Sequence, residues 1–354
     1  MRQKVNNVKP FAVKIAPLQS DFYSQIAIQA KIGFAQIQSG ILLTSGLAAI
    51  AYLLRLVPGF HLFSPLILSI LLGILVRNTI RTPSHAQAGI SFAMKRILRF
   101  AVVLLGVQLS LLQVFSVGIT GMLITIATLL STFWLTCWLG KQLGIDSSLT
   151  RLIAAGTSIC GASAVIATST TTKSADEDIT YAVAIVTLFG TFSMLSYPLL
   201  IGQLHLTPEA FGLWCGVSIH EVAQVIAAAF QASPLSGEVA SISKLSRVLW
   251  LAPVVLLLGS VSKTDSLKTK VAIPWFVMYF MLLILLNSLN LFPQGLKSAI
   301  AQLNQILLAI AMAAMGLETR LNQIQKIGLK PLYLGALSWL FISIFSYGLI
   351  KLFY

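Results

Sequence analysis

Apolar runs of about 20 residues recur from position 40 to the C-terminus of this chain, each long enough to cross a hydrocarbon core of about 30 Å. Backbone inside a bilayer must satisfy its own hydrogen bonds, which leaves helices or closed barrels. Long uninterrupted runs, rather than short alternating strands, select helices. Only 10% of the 354 residues are charged and 57% are hydrophobic, where a soluble domain carries roughly 25% charged residues. The chain reads as an all-α polytopic membrane protein.

Eleven spans are expected, at about 40–57, 63–79, 97–114, 119–140, 150–170, 179–201, 209–231, 240–261, 271–291, 299–318 and 331–351. Breakers separate them: Val57-Pro58-Gly59, Thr82-Pro83, Leu206-Thr207-Pro208 and Phe292-Pro293. Residues 81–96 are polar enough for a surface helix. Residues 1–36 are mixed and basic and lack the apolar core of a signal peptide, so they read as a cytoplasmic segment ahead of a transmembrane transporter domain over 37–354. With the N-terminus inside, 18 of the 24 basic residues fall on the inner side, as the positive-inside rule requires. The net charge of +14 therefore reads as topology signals and contacts to lipid headgroups, not as a nucleic-acid surface. Cys137, Cys160 and Cys215 all lie in apolar segments and form neither a disulfide framework nor a metal pattern.

Two internal echoes stand out. Leu105-Gly106-Val107-Gln108, followed by Val117-Gly118, matches Met315-Gly316-Leu317-Glu318, followed by Ile327-Gly328, at identical spacing. Spans three and ten differ by an odd number, so this echo implies opposite orientation, the mark of inverted-topology transporters. The second echo pairs Gly156-Thr157-Ser158-Ile159 with Gly216-Val217-Ser218-Ile219 and continues through Val165-Ile166-Ala167 and Val225-Ile226-Ala227. It implies parallel orientation, so one duplication does not account for both unless one segment is re-entrant.

Chemistry concentrates in three places. In the fifth span, Gly156, Thr157, Ser158, Cys160, Gly161 and Ser163 put glycines, hydroxyls and a thiol within eight residues. A helix that loosens at glycines inside a membrane does so against protein or beside a cavity, although small residues and hydroxyls also pack membrane helices together. In the seventh span, Ser218, His220, Glu221 and Gln224 sit deep in an apolar run, where ionisable groups are costly and usually functional. Gln224 stands where a zincin needs its second histidine, so zinc is not expected. At the start of the eighth span Lys244 and Arg247 share a helical face, suited to an anion, to Glu221 or to snorkelling toward headgroups. Gln108, Asn304 and Glu318 are secondary polar candidates.

These stretches resemble a bacterial and archaeal membrane-protein family of the YeiH type, usually described as sulfate exporters. The likeness is carried by GTSICGASAVIAT at 156–168, VSIHEVAQVIAA at 217–228, ISKLSRVLWLAP at 242–253, VAIPWF at 271–276 and AMAAMGLET at 311–319. The family is similar to the bile-acid, arsenite and riboflavin transporter superfamily. That resemblance implies two inverted five-helix repeats, with helices broken near the substrate site and one break at Gly156 to Ser163.

The resulting expectation is a secondary carrier in the plasma (inner) membrane that exports a small anion, sulfate by resemblance. Gly156, Thr157, Ser158, Cys160, Gly161, Ser163, Ser218, Lys244 and Arg247 would bind it. His220, Glu221 and Gln224 would couple it to a proton or sodium ion. No nucleotide-binding motif or cofactor is expected, and a homo-oligomer is compatible with the sequence. A cation/proton antiporter built on Glu221 is the second reading. An intramembrane enzyme using His220, Glu221 or Cys160 is the third, and it lacks a recognisable catalytic constellation.

Overall fold

The computed structural model describes residues 37–60, 63–80, 82–172, 174–250, 275–319 and 328–354. The expected N-terminal segment 1–36, the later part of the span at 240–261 and the start of that at 271–291 lie outside the described residues. Five described helices are long and apolar enough to cross a membrane: α1 (Ile37–Leu54), the greater part of α5 from Val117, α8 (Asp176–Leu204), α13 (Gln294–Glu318) and α14 (Leu329–Phe353). Shorter helices complete the described bundle: α2 (Pro65–Thr79), α3 (Gln87–Phe92), α4 (Leu98–Leu105), α6 (Ser147–Ala155), α7 (Ala162–Thr172), α9 (Pro208–Ser218), α10 (Val222–Ala232), α11 (Pro234–Leu249) and α12 (Trp275–Ser288), with α5 running over Leu111–Gln142. The protein is a helical, multi-pass membrane protein.

Burial follows the demands of a bilayer rather than of water. Large apolar side chains such as Ile119, Trp134, Leu199 and Leu352 face outward, where lipid is their solvent. The interior is built largely from small residues, among them Ala154, Ala155, Ala227, Ala228 and Ala313. Without a hydrophobic force between helices, close backbone approach supplies the packing.

Three expectations about the spans need correction. The span expected over 97–114 is not one helix, because α4 stops at Leu105 and residues 106–110 turn before α5 begins. The Ser110 hydroxyl and the Gln113 side chain form a capping box that starts the new helix there. Gly118, at φ 65°, then kinks α5 after its first two turns. Residues 82–96 are not one regular surface helix: a 3-10 turn, α3 and a π-turn follow one another, exposed at Ser84, His85, Lys95 and Arg96 but buried on one face at Ala86, Gly89, Ile90 and Ala93, where Gly89 packs backbone to backbone on Gly40 of α1. The span expected over 209–231 is interrupted, α9 ending at Ser218 and α10 starting at Val222.

Contacts made by the first sequence echo recur at one fixed offset. A Cβ on Gly106 would lie 2.6 Å from the Phe280 carbonyl oxygen, and one on Gly316 would meet the Ile70 carbonyl oxygen. Asn287 Nδ2 donates to the Leu109 carbonyl at 2.7 Å, and Asn78 Nδ2 donates to the Thr319 carbonyl at 3.1 Å. Gly106 and Gly316, Ile70 and Phe280, and Leu109 and Thr319 are each about 210 positions apart. Asn78 and Asn287 match to within one residue.

Candidate functional site: two broken helices and their caps

The first break follows α6. Its last turn widens into a π-turn over Gly156–Cys160, closed by the Gly161 N–H donating to the Gly156 carbonyl at 2.8 Å. Gly161 then turns the chain at φ 69°, ψ −135°, a region open in practice to glycine alone. A side chain there would also collide with Glu221, whose Cγ lies 2.5 Å from the position of a Cβ. The second break follows α9. Ile219 (φ −72°, ψ 142°) and Glu221 (φ −110°, ψ 147°) are extended, a conformation that needs no glycine.

An interrupted helix exposes carbonyls on one side of the break and N–H groups on the other. Both sets are matched by side chains. Lys244 Nζ donates to the carbonyls of Ile159 at 3.1 Å and Ile219 at 2.6 Å. The Arg247 guanidinium donates to the carbonyls of Val217 and Ser158 through its two terminal nitrogens, with a third contact to Thr157 at 3.4 Å. Two cations thus close the negative ends of both leading half-helices. Lys244 and Arg247 have no exposed surface. They do not snorkel to headgroups, because α11 begins at Pro234 and carries them several turns into the bundle.

On the opposite side, Glu221 serves the positive ends of both trailing half-helices. Its side chain lies against Gly161, immediately before the start of α7. At the start of α10 it forms a capping box with Gln224, whose Oε1 accepts the Glu221 N–H at 3.2 Å. Thr187 Oγ1 donates to the Glu221 carboxylate at 3.2 Å. Gln224 Nε2 reaches α8, donating to the Thr187 carbonyl and the Thr191 hydroxyl at 3.3 and 3.2 Å.

The remaining sequence candidates divide. Thr157, Ser158 and Cys160 are buried in the π-turn, and the Ser158 hydroxyl donates to the Ala154 carbonyl at 2.6 Å within its own helix. Ser218 likewise donates to the Trp214 carbonyl. Ser163 is exposed at the start of α7, whereas Glu221 is half-buried. Four polar atoms around the breaks are buried without partners: Thr157 Oγ1, His220 Nδ1, Ser243 Oγ and Arg247 Nε. The secondary candidates lie elsewhere. Glu318 accepts a hydrogen bond from Gln87 Nε2, while Gln108 and Asn304 line a separate cavity.

Sequence reasoning missed Thr187, Gly190 and Thr191. Their one-face spacing on α8 was the available signal, but it resembles ordinary small-residue packing. Gly190 leaves the room that the Gln224 side chain fills.

The family model described as conserved hypothetical protein 698 matches residues 39–335. The chain is similar to the UPF0324 inner membrane protein YeiH of Salmonella typhimurium, 40% identical over 293 residues that cover 79% of this chain and 84% of the relative. The YeiH of Escherichia coli strain K12 shows the same identity and coverage. A UPF0324 membrane protein of Bordetella pertussis is 37% identical over 328 residues, covering 89% of this chain and 94% of the relative. With the matched stretch containing both helix breaks and all the side chains that cap them, the chain belongs to the UPF0324 family of YeiH-type membrane proteins.

Proposed function

We propose that the protein is a secondary transporter that exports a small anion across the inner membrane by alternating access, with sulfate the first candidate by family resemblance. One observation carries this reading: the paired breaks hold two buried cations, Lys244 and Arg247, against the single carboxylate of Glu221. Burying an unbalanced cation is costly, and a bound anion offsets that cost. The partnerless Thr157 and Ser243 hydroxyls and Arg247 Nε are donors that an oxyanion accepts from.

Glu221 supplies the coupling in this scheme. Its carboxylate stands at two helix N-termini, the place where an anion is most stabilised. A substrate anion competes with it there, and protonation of Glu221 frees the position. The same surroundings argue against the cation/proton antiporter, since N–H groups and positive dipole ends disfavour a metal cation. No feature of the site favours the intramembrane enzyme.

Alternating access is commonly built on two related halves. The contacts repeated at an offset of about 210 residues are what a two-fold relation produces, residue i touching j while their equivalents touch in reverse. They support a reading in which residues 65–142 and 275–353 form an inverted pair within the eleven-span, N-terminus-inside topology. The pair does not include the two breaks, which lie between its halves in sequence.

The test is efflux of radiolabelled sulfate from liposomes containing the purified protein. Protein-dependent efflux is expected, and efflux equal to that of empty liposomes overturns the sulfate assignment.

A further inference from the structure

A cavity of about 460 Å³ lies away from the helix breaks, between α1, α2, α4, α13 and the α10–α11 junction. Its volume falls within the ~300–1,000 Å³ of sites for small organic ligands, and one water occupies only ~30 Å³. A tetrahedral inorganic ion leaves most of it unfilled. Arg55, Ser64, Gln108, Gln231, Asn304 and Gln305 supply polar groups to its lining, beside the aromatic side chains of Tyr52, Phe63 and Phe230.

Two features give this lining a chemical preference. Among the described residues, Arg55 is the one charged member of the lining, so the complementary ligand carries one acidic group. Asn304 is 1% exposed and its Oδ1 has no partner among the described residues, so a ligand N–H or O–H that reaches it removes the cost of an unpaired acceptor. The wall is also tied together: Gln231 at the end of α10 accepts the N–H of Ser64, the N-cap of α2.

We propose that this cavity binds a small organic acid bearing a hydroxyl or amino group, with its acid on Arg55, its donor on Asn304 Oδ1 and its carbon chain between Phe63 and Phe230. In the N-terminus-inside topology every one of these residues lies toward the outer face. Glu221, the N-cap of α10, and Phe230 near its end stand roughly 13 Å apart at 1.5 Å per residue, so the cavity and the helix breaks share one rigid element. The binding itself does not depend on anion export by the breaks.

Equilibrium binding to the full chain in phosphatidylcholine nanodiscs tests this, with 2-hydroxyhexanoate and 2-aminohexanoate as probes. Hexanoate, which lacks the donor, and hexane-1,2-diol, which lacks the acid, are the controls. The probes should bind at least about tenfold tighter than either control, because a site built around a hydrogen bond rejects analogues without it. Asn304→Ala should erase the preference over hexanoate, and Arg55→Gln the preference over the diol. If Asn304→Ala fails to fold, the exposed Arg55 variant decides alone. Equal binding of probes and controls, no binding of either probe, or insensitivity to Arg55→Gln overturns the proposal. So does loss of probe binding when phosphatidylglycerol is added, which would assign the cavity to a lipid headgroup.

Discussion

Lys244 donates to the carbonyl oxygen of Ile219 at 2.6 Å and so closes the open end of a helix broken inside the bundle. The same ammonium reaches Ile159 in the other broken helix at 3.1 Å. One buried cation therefore fixes the two breaks at a common level. Arg247, one turn further along α11, repeats the arrangement on Val217 and Ser158.

Lys244→Met should destabilise the protein strongly. It leaves two buried carbonyls without donors, each costing roughly 1–3 kcal/mol, so thermal unfolding in detergent should fall by several degrees. Arg247→Lys should cost less than Arg247→Met, because one ammonium still reaches one of the two half-helix ends. Equal melting of all three variants and the wild type would show that the caps carry no stability.

Gly161→Ala should abolish transport with a smaller loss of stability. The added Cβ would stand 2.5 Å from Glu221 Cγ and push the carboxylate away from the start of α7. The strained backbone adds about 1–3 kcal/mol. Comparison of flux with melting temperature separates the two effects, and unchanged flux would remove Glu221 from its place at the break.

Glu221→Gln should make flux independent of pH while allowing the protein to assemble, because Gln still caps both helices but no longer titrates. Flux measured across the acidic to neutral range checks this. A profile identical to the wild type would move proton coupling to another group.

Opposite-face labelling tests the inverted pair. Thr79 at the end of α2 and Leu289 just beyond α12 are 210 positions apart and exposed. As single cysteines in a background lacking Cys137, Cys160 and Cys215, they should react with a membrane-impermeant maleimide from opposite sides. Reaction from the same side would contradict the inversion.

Much of this arrangement was legible in the sequence, and the losses have physical causes. The glycine-hydroxyl run at 156–163 announced a break because Gly161 occupies a conformation that side chains disfavour. The second break was visible only as an echo of the first, since Ile219 and Glu221 adopt ordinary extended angles that any residue tolerates. Lys244 and Arg247 were found as cations out of place, but their spacing alone does not distinguish a substrate site, a headgroup contact and a cap for a distant carbonyl. The carbonyls they serve belong to residues 25 to 90 positions away. Thr187 and Thr191 were missed because a hydroxyl in a membrane helix commonly bonds its own backbone, as Ser193 does with Phe189. The interruption at 106–110 was read through because Val107 and Leu109 are apolar; their burial rather than their helicity explains their character.

Tracer counterflow shows whether the paired helix breaks form a path for an anion. Liposomes containing the protein are loaded with an unlabelled small anion and diluted into a trace of the labelled form, with sodium and pH equal on both sides. A transient accumulation of label that depends on the internal anion and disappears in Gly161→Ala is expected. No accumulation with any small inorganic or organic anion, or accumulation of labelled sodium in the mirror experiment, would contradict it.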